Sequence, residues 1–128
     1  MRDIAPNIGV VQAVAPAVLT ATNISAAIDL LGFDSAVVVI NTGAIVSSGD
    51  FTAKLQESDT TTSGDFADVA AEHLVGDLPA SLEADSVVKQ GYIGNKRYIR
   101  TIITMNGGTS IAASAVMVKG HPAESPVA

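Results

Sequence analysis

Apolar and polar positions along this chain alternate mostly with a period of two, and windows with a helical period are few. The run Ser35-Ala36-Val37-Val38-Val39-Ile40 is short and β-branched, bounded by Gly32 and Asp34 before it and Asn41-Thr42-Gly43 after it. It predicts a strand buried on both faces. Next, Phe51, Ala53 and Leu55 alternate with Thr52, Lys54 and Gln56, the pattern of a half-exposed strand. A short strand is expected from Asp85 to Gln90, and two stronger ones from Arg97 to Met105 and from Ser110 to Lys119. The first of these sets Tyr98, Arg100, Ile102 and Thr104 against Ile99, Thr101, Ile103 and Met105; the second gathers Ile111, Ala113, Ala115 and Met117 on one face. Between them stands Asn106-Gly107-Gly108, a hairpin signal that predicts antiparallel neighbours.

Turn chemistry separates these runs. Ser47-Ser48-Gly49-Asp50 reads as a turn, and Asp59 to Asp65, which lacks any aliphatic residue, reads as a surface loop without burial to order it. Phe66, Val69 and Ala70 fit either a short helix or a strand, and Gly76 to Asp85, with Pro79, reads as a connection. Val10 to Thr20 gives two apolar pieces broken by Pro16, and Ile24 to Leu31 gives a further candidate strand. The expected fold class is therefore all-β: an antiparallel β-sandwich of seven to nine strands, jelly-roll-like, with an extended N-terminal arm. Its expected organisation is residues 1–22 as arm or edge strand, 23–122 as the sandwich and 123–128 as an extended tail.

At 128 residues, with 48% hydrophobic and 16% charged residues, the chain predicts one domain with an aliphatic core and little disorder. It has no cysteine, which excludes a disulfide framework, a thiolate zinc site and a cysteine nucleophile. Seven basic residues stand against thirteen acidic ones, net −6, which argues against nucleic acid as a partner. Ten acids and one base lie from Asp34 to Asp85, whereas Lys89, Lys96, Arg97 and Arg100 occupy an acid-free stretch; two such poles suit contact between copies or with a charged scaffold. The apolar runs fall short of a membrane span, and Ile8 to Ala21, with Gln12 and Pro16, is a poor signal-peptide core, so no membrane association is expected.

Candidate chemistry is sparse. His73 and His121 fall in no catalytic motif, and Asp59, Asp65 and Asp68 lack the spacing of a calcium loop. Gly91-Tyr92-Ile93-Gly94 leads into a strand and so makes no phosphate cradle. No catalytic residue, metal ligand or cofactor is therefore assigned, and the chain is expected not to be an enzyme. The most distinctive stretch is Gly91 to Arg100, which holds both tyrosines of the chain and three cations. Tyr92, Arg97, Tyr98 and Arg100 are the candidate contact residues, with Arg97 and Arg100 on opposite faces of the strand. One reading is a bidentate contact to a carboxylate on another subunit beside a tyrosine anchor; the other is an arginine passing its aromatic neighbour to reach water.

The run Ser35 to Ile40, the segment Gly49-Asp-Phe-Thr-Ala-Lys-Leu-Gln-Glu-Ser58 with the polar loop after it, Gly91-Tyr-Ile-Gly-Asn-Lys-Arg-Tyr-Ile-Arg100 and the alanine-rich final strand ending Lys119-Gly-His-Pro122 together resemble the head cement or decoration proteins of tailed bacteriophages. The likeness spans about Thr20 to Pro122. It implies a jelly-roll-like fold, self-association as a homodimer or homotrimer, and the major capsid protein as partner. The implied place is the outer surface of the capsid, where the protein would tie neighbouring subunits together. It brings no catalytic residues. A head-tail joining or tail protein, and a carbohydrate-binding β-sandwich, are the alternatives; the second is disfavoured by the absence of Trp and by only 4% aromatic residues.

Overall fold

The computed structural model of the chain describes residues 3–124, which form ten strands and three short 3-10 turns. The strands are β1 (Gly9–Leu19), β2 (Asn23–Ile24), β3 (Ile28–Asp29), β4 (Phe33–Val46), β5 (Asp50–Ser58), β6 (Ala67–Asp68), β7 (Leu74–Val75), β8 (Val87–Tyr92), β9 (Tyr98–Gly107) and β10 (Ser110–Pro122). One sheet runs β1-β10-β4-β8-β7 and the other β2-β9-β5-β6, with β3 following β2 along the same edge of β9. All pairings are antiparallel. Taking β2 with β3 and β7 with β8, the chain alternates between sheets except at β5 to β6, and each sheet interleaves early and late strands. This is the jelly-roll arrangement found in viral capsid and lectin domains. None of these elements is a helix long and apolar enough to cross a membrane.

The period-two rows read from the sequence set the inner faces. Ala36, Val38 and Ile40 of β4, Ala113, Ala115 and Met117 of β10, and Phe51 and Leu55 of β5 are buried, together with Ile99 and Ile103 of β9. Ala113 and Ala115 of β10 face inward, where small side chains let the opposite layer approach. Between β2 and β3 the ladder is carried by Ser25, whose N–H donates to the Thr101 carbonyl and whose hydroxyl accepts from the Thr101 N–H, both at 2.9 Å. A single serine thus bridges the break within Ile24–Leu31, which had read as one strand.

Four features depart from the expectations. The run Ser35 to Ile40 is not buried on both faces: Ser35, Val37 and Val39 remain half-buried on the outer side. Asn106-Gly107-Gly108 does not make a hairpin, because β9 lies between β2 and β5 while β10 lies between β1 and β4. The segment crosses from one sheet to the other, and Gly108, at φ +74°, is needed there because a Cβ would overlap the Ser48 carbonyl and Gly49 of the β4–β5 turn. Pro16 does not split β1; it sits at a register shift between Val14 and Ala17 on an edge strand, where its missing N–H costs no ladder bond inside the sheet. Finally, Gly9–Leu19 is not held out as an arm; of the two forms expected of residues 1–22 it takes the other, an edge strand paired along β10. β10 ends at Pro122, the expected end of the sandwich, and of the expected tail residues 125–128 lie outside the described part.

Candidate functional site

The segment Gly91–Arg100 joins β8 of one sheet to β9 of the other and closes one end of the sandwich. Tyr92, the last residue of β8, is only 3% exposed. Its hydroxyl donates to Glu57 Oε2 at 2.7 Å and accepts from the Lys96 N–H at 3.0 Å, so it ties β8 to β5 across the layers and fixes the turn that follows. Burial, and then the Glu57 carboxylate, push its ionisation far above the usual tyrosine range. Gly94 lies against the Tyr92 ring so closely that a Cβ there would overlap it.

Beyond that turn the charges pair. Lys96 Nζ reaches Asp59 Oδ2 at 2.9 Å. Arg97 presents its fork to Asp29, Nε to Oδ1 and Nη2 to Oδ2, each at 2.9 Å, and its guanidinium lies 5.1 Å from the centre of the Tyr98 ring. The β3–β9 register, with Asp29 opposite Tyr98, brings these residues together. The Arg97 hydrogen bonds, helped by the Leu31 N–H, hold the Asp29 carboxyl down at about 2. Lys119 lies 4.6 Å over the Phe33 ring and donates to the Asp29 carbonyl. The result is a groove of about 600 Å³ whose lining includes Leu30, Leu31, Phe33, Asp34, Lys96 and Arg97. Leu31 and Ile93 are 68% and 60% exposed at this end.

Arg100 is placed differently. It is buried on the outer face of β9, beneath the 59–66 loop. Nε and Nη2 donate to Gln56 Oε1 at 2.9 and 2.7 Å, Nη1 donates to Ser63 Oγ at 2.9 Å, and the guanidinium stacks 4.3 Å over Phe66. The loop that had no aliphatic residue to order it is thus ordered by a cation, helped by Thr60 Oγ1 bonding Asp65 Oδ2 at 2.7 Å and by Ser58 Oγ accepting from the Thr60 N–H. Along the same row, Gln56 Nε2 and Lys54 hold Asp68 at 2.8 and 3.0 Å and lower its pKa, Gln56 contributing most.

Of the four candidate residues, then, Arg97 and Tyr98 stand at the end of the sandwich with surface to offer, whereas Tyr92 and Arg100 are taken up inside the chain. The bidentate carboxylate contact exists, but Arg97 makes it to Asp29 of its own chain. Asp29 escaped the sequence reading, and Asp59 entered it only as a calcium candidate; the one local signal for Asp29 was an acid set between Ile28 and Leu30 in an apolar stretch. The three carboxylates weighed for calcium, Asp59, Asp65 and Asp68, bond to Lys96, Thr60 and the Gln56–Lys54 pair respectively. His121 Nδ1 lies 2.8 Å from Ser35 Oγ, a contact between adjacent strands, Gly120 being opposite Ser35.

Among known proteins, no family matches the chain and no curated sequence does. A solved structure that matches is that of infectious bursal disease virus, Gx strain, 15% identical with a TM-score of 0.47. The match covers 89% of this chain and 32% of that one, so the chain spans about a third of its length.

Proposed function

We propose that this chain is a virion structural protein that attaches to the outer surface of a phage capsid and cements neighbouring major capsid subunits, self-associating as it does so and catalysing nothing. The single observation that carries this reading is the jelly-roll strand order, an architecture used by viral capsid proteins. The resemblance of four segments to phage cement and decoration proteins agrees with it. Arg97 and Tyr98, with Leu31 beside them, are the residues assigned to the shell contact: a fork already oriented by Asp29, an aromatic ring and an exposed aliphatic side chain at one rim. A protein bound across two subunits stabilises the shell because dissociating either subunit must also break its contacts.

The test is co-sedimentation of the purified protein with expanded empty capsids at low and high salt. Saturable binding, reduced in Tyr98→Ala and Arg97→Ala variants that still fold, is the expected result. Absence of binding at every ionic strength removes the cement role in favour of a head-tail joining protein, and retention on a glycan array instead points to the lectin-type use of the same fold.

A further inference from the structure

The outer faces of the two sheets differ in kind. On the β5–β9 side, polar side chains satisfy one another: Lys54 with Asp68, Gln56 with Arg100, Asn106 with Thr52. On the β1–β10–β4–β8–β7 side the pairing register lines up Val10, Val118, Val37, Gly91 and Val75 in one row across all five strands. The next row holds Val116 and Val39 between Gln12 and Lys89. Val10, Val75 and Val87 are 58%, 54% and 67% exposed. An antiparallel sheet facing water should show polar residues here, and continuous apolar runs belong to strands covered on both sides.

We infer that two copies of this chain pack these valine faces together about a twofold axis. The inference deepens the self-association in the reading above by naming its surface, and it stands apart from shell binding. Area supports a second copy. A standard interface of about 800 Å² per partner, some 57% non-polar, needs roughly 450 Å² of apolar surface. Of eight valines on this face, Val10, Val18, Val75 and Val87 are more than half exposed, and Val37, Val39, Val116 and Val118 are partly buried. Together they supply roughly 300 Å² at about 90 Å² per side chain, with the stems of Gln12 and Lys89 adding to it. Charge supports it too. In a chain with thirteen acids, this face carries none: β1, β7, β8 and β10 contain no acid, and Asp34 of β4 shares the inward parity of Ala36. Two copies of net charge −6 therefore meet here without opposing carboxylates. Covering Val37 and Val39 also gives β4 the two-sided burial that its sequence demands.

The experiment is sedimentation equilibrium of the full chain over a wide concentration range, with circular dichroism and thermal melting as controls for folding. The wild type should approach twice the 13.0 kDa of one chain. Val10→Glu and Val87→Glu, at positions with room for the new side chain, should each raise the dimer dissociation constant about 100-fold by placing an unpaired carboxylate in the contact. Ile24→Glu, equally exposed on the other sheet, should leave it unchanged. A wild type that stays monomeric, a trimer, or dimers that persist in both valine variants would overturn the inference. So would a monomer whose capsid binding is abolished by Val87→Glu, which assigns the face to the shell. Dimers that never bind capsids uphold this inference and remove the cement reading instead.

Discussion

Replacing Arg100 by alanine removes the guanidinium that holds the 59–66 loop against β5 and β9. Arg100 is 8% exposed and makes three close hydrogen bonds, two of them sharing Gln56 Oε1, besides its stacking on Phe66. Hydrogen bonds to a charged donor contribute about 1.5–3 kcal/mol each in mutational series, but these share an acceptor and the freed groups rehydrate once the loop lifts. The expected cost is therefore about 2–3 kcal/mol rather than the sum. In a chain of this size that lowers Tm by roughly 6–12 °C. Urea denaturation measures the first quantity and amide hydrogen exchange locates it: protection at Thr60, Thr62 and Asp65, whose N–H groups bond within the loop, should fall far more than in β9. Arg100→Lys keeps the charge but not the fork, and should recover less than half of the loss. A change below about 0.5 kcal/mol with loop protection intact would refute the clamp.

Three further outcomes are expected. The Asp29 carboxyl sits below its ordinary 3.8 chiefly through Arg97, so the Arg97–Asp29 contact adds stability above that value and loses it as pH falls from about 4 towards 2; in Arg97→Ala, carboxyl NMR should place Asp29 back near 3.8. Tyr92→Phe strands the Glu57 carboxylate and the Lys96 N–H and should cost about 1–2 kcal/mol in denaturant. Absorbance titrations of that variant and the wild type should coincide around pH 10, because buried Tyr92 ionises only above its normal range. Gly108→Ala, at positive φ and against the Ser48 carbonyl, should destabilise by roughly 2 kcal/mol or more, whereas Gly64→Ala, with open space around it, should be within about 0.5 kcal/mol of neutral; thermal melts separate the two.

The inward rows were legible because side chains on a strand alternate strictly: Phe51 and Leu55, or Ile111, Ala113, Ala115 and Met117, declare a buried face with no knowledge of the partner sheet. The candidate site was legible only as a segment. Gly91–Arg100 was singled out by its chemistry, yet the use of each residue depended on others: Asp29 lies 68 positions from Arg97 and Gln56 lies 44 from Arg100. No local pattern encodes such pairings, since they follow from the β3–β9 and β5–β9 registers.

Composition and periodicity alone determined that this chain is a β-sandwich with an aliphatic core, because a period of two and a supply of β-branched residues admit few other solutions. Only the tertiary structure decided how its strands are shared between sheets. Asn106-Gly107-Gly108 specifies which backbone angles are permitted, and such angles serve a hairpin and a crossing equally well. The crossing prevails because both edges of β9 are filled, by β5 and by β2 with β3, so β10 finds its hydrogen-bond partners between β1 and β4.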